Sequence, residues 1–174
     1  DWSSDVCSSD LDCLGGIPAM HVAGLPVFRD DPPRTQSLLR AIIDAARKQY
    51  DFVVLDLGPD INNDVHFAAL DSAGLVLAVV RPDLADIHST AQTVPRLKQA
   101  LGEGLSKFEL VINQWSDEAG IRMRDLINAI GMKKFAQVPY DPAFTYVNNQ
   151  QRPFVLEKPN PTSDAILSMA TRFF

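Results

Sequence analysis

Asp56 follows the apolar run Phe52-Val53-Val54-Leu55, and Asn113 follows another, Phe108-Glu109-Leu110-Val111-Ile112. A carboxylate just past a hydrophobic strand is placed to serve a magnesium ion, often through water, beside a nucleotide phosphate. An asparagine amide both donates and accepts, which suits the edge of a purine. Two further runs end in polar residues, at Arg81-Pro82-Asp83 and at Pro139-Tyr140-Asp141. If the runs are parallel strands, all four ends gather on one rim of the sheet, where open α/β sheets bind their ligands. Simpler roles stand beside these: Asp56 caps the turn through Gly58 and Pro59, Asp60 is ordinary turn chemistry, Arg81 is a solvated strand end, and Asn113 bonds its own next turn. Taken alone, these residues leave the ligand open.

The elements that would position them are legible from periodicity. Unbroken β-prone runs at Phe52 to Leu55, Gly74 to Val80 and Phe108 to Asn113 predict strands covered on both faces, with a shorter one at Phe135 to Val138. His21 to Phe28 predicts a further strand, with Pro26 suiting it to an edge. Between them, apolar residues recur at three and four. Leu38, Leu39, Ile42, Ile43 and Ala46 predict a helix over Thr35 to Gln49, capped by Asp31 or Thr35. Helices are likewise predicted over Asn62 to Ser72, over Asp86 to Leu101 with a kink or early break at Pro95, and over Ile121 to Ile130 with Gly131 as C-cap. Tyr140 to Gln151 reads as polar and at most partly helical, and Arg152 to Pro161 as extended. Thr162 or Ser163 opens a last helix with Ile166, Leu167, Met169, Ala170 and Phe173 on its buried side. Strands alternating with helices of ten to fifteen residues predict βαβ units, hence a three-layer α/β fold with a mostly parallel sheet.

Composition narrows the function classes. The chain has 174 residues and a net charge of −6, with acids and bases interspersed, so there is no basic stripe for nucleic acid. Its longest apolar stretches fall far below the roughly 20 residues of a membrane span, which points to a cytoplasmic protein that reaches a membrane only through partners. Cys7 and Cys13 lack histidines at metal-ligand spacing, and His21, His66 and His88 are scattered, so no metal site is expected from them. No G-x-S-x-G occurs, nor a G-x-x-x-x-G-K-[ST] phosphate loop.

The line YDFVVLDLGPDINN, together with FELVINQW and VPYD, resembles the later part of the MinD/ParA/CpaE group of deviant P-loop ATPases, closest to the CpaE or TadZ type. The resemblance runs from about Leu25 to Phe174. It implies a P-loop NTPase-like fold, ATP and Mg²⁺ as cofactors, a nucleotide-sandwich homodimer, and localisation or pilus and secretion proteins as partners. On this match Asp56 is the Walker B carboxylate that meets magnesium through water. Gly58, Pro59 and Asp60 lie in the switch that senses the γ-phosphate. Asn113 reads adenine, and Pro139, Tyr140 and Asp141 line the base. NNQQRPF resembles a loop that usually carries a glycine ahead of the proline; Gln151-Arg152 stands there instead. Members carry their glycine-rich lysine loop at the start of the domain, so the resemblance implies that residues 12–174 form one partial domain whose phosphate-binding part lies upstream. DWSSDVCSSDL itself resembles the translation of a sequencing-adapter remnant, which would make the first eleven residues a non-native leader.

The expected function is therefore ATP binding and hydrolysis in a longer parent protein, used for positioning or pilus assembly, with the 174 residues inactive by themselves. A nucleotide-free scaffold for localisation or secretion machinery is the alternative, and a P-loop relative with synthetase or reductase chemistry is a third class.

Overall fold

The computed structural model describes residues 31–58, 64–156 and 159–173. The His21 to Phe28 strand, the leader, Pro59 and Asp60 lie outside them. The chain divides into two compact units, one ending at Ser72 and the other beginning at Ala73.

In the first unit, helix α1 spans Pro32–Ala46. Asp31 starts it: its carboxylate accepts from the Arg34 N–H at 3.0 Å, and two prolines occupy the first turn, where a missing N–H costs nothing. Helix α2, Asp64–Ser72, packs against α1 and buries Ala68, Ala69 and Leu70. An Arg40–Asp71 ion pair at 2.9 Å and a bond from Arg47 to the Ser72 carbonyl join the two helices. Both partners of the ion pair are half exposed, so it adds at most about 1 kcal/mol.

The segment between these helices departs from its expected form. Phe52 to Leu55 belongs to no strand among the described residues; Val54 is 89% exposed and Phe52 49%. The physical reason is that β-propensity measures fit to a pleated, partnered surface and does not supply the partner. No ladder among the described residues takes up this run. Asp56 and Gly58 therefore lie on an irregular, exposed segment.

The second unit is built as expected, from parallel strands joined by helices. Strands β1 (Val76–Val80), β2 (Phe108–Trp115) and β3 (Lys133–Pro139) form a sheet in that order, all parallel. Helix α3, Leu84–Leu101, links β1 to β2, and α4, Met123–Ile130, links β2 to β3. Asp83 caps α3 by accepting from the Asp86 N–H at 2.9 Å. Of the kink or early break expected at Pro95, the break does not occur: the proline sits inside α3, and Ile87 and Leu97, buried on either side of it, hold the helix down. Gly131 ends α4 at φ +74°, where its N–H bonds the Ile127 carbonyl, a left-handed position that suits glycine. Leu110 and Ile112 of β2 and Leu126 of α4 are fully buried at the centre of this core.

After β3 come α5 (Ala143–Asn149), a 3₁₀ turn at Phe154–Leu156, and α6 (Pro161–Ala170), which packs on β3. Asn160, rather than Thr162 or Ser163, caps α6, accepting from the Ser163 N–H at 2.8 Å. Thr162 and Ser163 are instead buried, and their hydroxyls donate to the carbonyls of Pro139 (3.1 Å) and Phe154 (3.2 Å). Leu167 and Phe173, expected inside, are 52% and 41% exposed. Phe173 stacks on Phe135 at 5.7 Å, while the Arg172 guanidinium lies 3.7 Å over the same ring and donates to the Phe135 carbonyl.

Candidate functional site

In the second unit the carboxyl ends of β2 and β3 frame a cavity of about 280 Å³. Asn113 and Gln114 come from β2, and Pro139, Tyr140 and Asp141 from the end of β3. Val79, Val111 and Val138 supply apolar floor; Phe144 and Thr145 of α5 and Thr162, Ile166 and Met169 of α6 form the remaining walls. Val79 and Val111 are register partners, so they share one face of the sheet, and Asn113, two residues on, falls on that face as well. The cavity sits at the lower end of the roughly 300–1,000 Å³ range of small-molecule sites, and its mix of many apolar atoms with a few convergent polar groups is typical of them.

The rim has a particular construction. Ile112 pairs with Gln137 and Trp115 with Pro139, so Asn113 and Gln114 together oppose Val138 alone. This is a β-bulge, and Gln114 occupies it at φ +59°. The Gln114 N–H turns onto Asn113 Oδ1 at 3.0 Å. Pairing resumes at once: the Tyr140 N–H donates to the Trp115 carbonyl at 2.8 Å, which ties the two strand ends together. Asp141 accepts from the Ala143 N–H at 2.8 Å and so opens α5, and Thr162 anchors the Pro139 carbonyl from α6. The Asn113 NH₂ group makes no hydrogen bond among the described residues.

The structure thus brings Asn113, Pro139, Tyr140 and Asp141 to one cavity. Asp56 and Gly58 are in the first unit, where Gly58 lies beside His66 of α2; a Cβ on Gly58 would stand 3.8 Å from the His66 ring, an ordinary contact. Arg81 does not line the cavity. Its guanidinium grips Asp86 at 2.8 and 3.2 Å and approaches Asp83 at 3.5 Å, in the first turn of α3. The hydrogen bond from Arg81 holds the Asp86 carboxyl below the usual carboxylate range, and the same bond raises Arg81. Trp115 turns its indole N–H to Asp117 at 3.1 Å and is not among the cavity's walls. No cluster of metal-ligating side chains occurs among the described residues.

Sequence reasoning missed the α6 wall. Ile166 and Met169 read as core, although the spacing Thr162, Ile166, Met169 marks a single helix face that a sheet rim could meet. The left-handed turn at Gln114 has no signal in the sequence, because glutamine is not a residue that ordinarily marks one.

No protein-family model and no curated protein matches the chain. Solved structures do. A ParA family ATPase from Chlorobium tepidum TLS matches at a TM-score of 0.75 and 20% identity, over 94% of this chain and 64% of its own. The MinD cell division protein of Aquifex aeolicus matches at 0.66 and 20%, over 82% and 60%. The septum site-determining protein MinD of Pyrococcus horikoshii OT3, complexed with Mg-ADP, matches at 0.63 and 20%, over 82% and 56%. The likeness is one of fold: a mixed α/β architecture of the MinD/ParA P-loop NTPase kind, of which this chain spans less than two thirds of each neighbour's length.

Proposed function

We propose that the chain is the later part of a MinD/ParA-like ATPase domain, and that the cavity of its second unit takes the base of ATP. The observation that carries this reading is the convergence of Asn113, Pro139, Tyr140 and Asp141, drawn from two strand ends, on one small and mainly apolar cavity. Such a cavity suits a flat heterocycle. Apolar walls cover its faces, and the Asn113 amide, with a spare NH₂ and a second oxygen lone pair, meets an edge that offers one acceptor and one donor, as adenine does. The Asp141 carboxylate beside it discourages an anion, so the uncharged end of the nucleotide belongs here and the phosphates outside.

Asp56, an exposed carboxylate, is the residue that would hold magnesium by way of water; the ion supplies charge neutralisation at the phosphates when bound. The residues Gly58, Pro59 and Asp60 serve as the switch on this reading. The sequence holds no glycine-lysine phosphate loop, so no phosphoryl-transfer step is assigned to these residues. Hydrolysis by water, a homodimer, and a use in positioning or pilus assembly of the CpaE or TadZ type belong to a longer parent protein, in which residues 12–174 form one partial domain. No helix among the described residues is long and apolar enough to cross a membrane.

Adenosine titrated into the ¹⁵N-labelled chain tests the reading. Shifts confined to Asn113, Tyr140, Thr162 and their neighbours, with millimolar affinity, are expected. No shift at these residues at saturating adenosine would overturn it. Mg-ATP followed by calorimetry should bind equally poorly, since nothing in these residues grips phosphate; a micromolar dissociation constant would contradict that account.

A further inference from the structure

We propose that Gln114 is a positioning residue for the cavity's ligand: its left-handed backbone, set in the bulge of β2, holds the Asn113 carboxamide in the orientation that reads a heterocycle's edge. This rests on the base-binding reading of the cavity and adds to it a residue that touches the ligand's reader from behind.

The geometry is specific. In a regular parallel strand, the N–H of residue 114 would point along the ladder toward a neighbouring strand. Here Asn113 and Gln114 stand against Val138 alone, and in this bulge, where Gln114 takes φ +59°, the Gln114 N–H donates to Asn113 Oδ1 at 3.0 Å. That bond uses one lone pair of the oxygen and fixes the side-chain torsion of Asn113. What remains free for a ligand is the second lone pair and both N–H groups of Nδ2. Without the bulge, pairing would continue in register, Asn113 would lose its backbone donor, and its amide would rotate among several positions. A non-glycine residue in this conformation is sparsely populated, and such positions persist where the surroundings over-determine them. The surroundings here are on both sides: the Trp115 carbonyl is bonded by Tyr140 immediately after the bulge, and Asn113 lies immediately before it.

The experiment compares adenosine with purine riboside, which keeps the ring but lacks the exocyclic amino group. A fixed Asn113 oxygen accepts from that amino group, so the unaltered chain should prefer adenosine by about fivefold, the worth of one net hydrogen bond. Gln114→Val, a β-branched residue that resists positive φ, should bring the ratio close to one while both nucleosides still enter. Gln114→Gly and Gln114→Asn, which tolerate the left-handed region, should restore the ratio. A role in stability alone would weaken both nucleosides together and leave the ratio unmoved.

Should Gln114→Val fail to give a dispersed amide spectrum, Gln114→Ala poses the same strain more mildly and is read in the same way. An unchanged preference in the valine or alanine variant overturns the proposal. So does a wild-type chain that binds both nucleosides equally, which leaves the cavity's use as a base site standing. If neither nucleoside binds, the base reading falls and the positioning role falls with it.

Discussion

Replacing Gln151 by glycine should make the protein more stable. Gln151 follows α5 with φ +56°, and its N–H bonds the Asn148 carbonyl at 2.9 Å while the Arg152 N–H reaches back to Val147. This is a left-handed helix termination, the position where glycine is most favoured. An L-residue pays roughly 1–2 kcal/mol there because its Cβ crowds the following carbonyl. The Gln151 side chain is exposed, so its removal forfeits no core packing. Against the gain stands the extra backbone freedom of glycine in the unfolded chain, about 0.5–1 kcal/mol. The net expectation is a stabilisation of about 0.5–1 kcal/mol, read as a rise in the urea midpoint at constant slope. In a thermal scan it should appear as an increase of about 1–4 °C. Gln151→Ala is the control: it retains the Cβ and should leave the midpoint nearly where it was. A glycine variant no more stable than the alanine variant would refute the reasoning, because the left-handed strain would then not be carried by the Cβ.

Thr162→Val keeps the shape of a side chain that is only 4% exposed but leaves the Pro139 carbonyl without its donor; it should cost about 1–2 kcal/mol in urea denaturation, and a neutral result would mean the bond adds nothing. The Arg81–Asp86 pair gives a pH dependence of definite sign. Because the folded state lowers the Asp86 pKa, its contribution is present above the unfolded value of about 3.9 and fades as pH falls through the lowered folded value. The stability difference between the unaltered chain and Asp86→Asn should therefore shrink as pH falls below about 4, and a difference independent of pH down to about 2 would contradict it.

Where the sequence was informative, the cause was a local rule with no competitor. The alternation of FELVI with helical spacing forced a buried parallel strand, and Asp31 ahead of α1 was legible as a cap, whereas Asp83, read as part of the rim, caps α3. Because β2 and β3 are parallel neighbours, knowing where each stops was enough to bring Asn113 and Pro139 to the same rim. The run before Asp56 shows the limit of that logic: FVVL has the propensity, but a ladder needs a second chain segment, which no window of residues contains. Backbone sign was the other blind spot. Both non-glycine residues with positive φ among those described are glutamines, at 114 and 151, and nothing about glutamine announces a left-handed turn. At 151 the hint came only from the resemblance, whose usual glycine is replaced at that point. Ile166 and Met169 were legible as apolar, and only the depth of the rim beneath α6 makes them walls of a cavity rather than core.

Helix α6 is fastened to β3 at both of its ends, through Thr162 at the carboxyl end of the strand and through Arg172 and Phe173 nearer its beginning. Ten residues at the usual rise separate these fastenings by about 15 Å. A surface linkage made through Phe173 would therefore lie on the side away from the opening, and protein immobilised there would keep its mouth turned toward the flowing sample. A probe attached ahead of Pro161 would sit at that mouth and report on whatever enters.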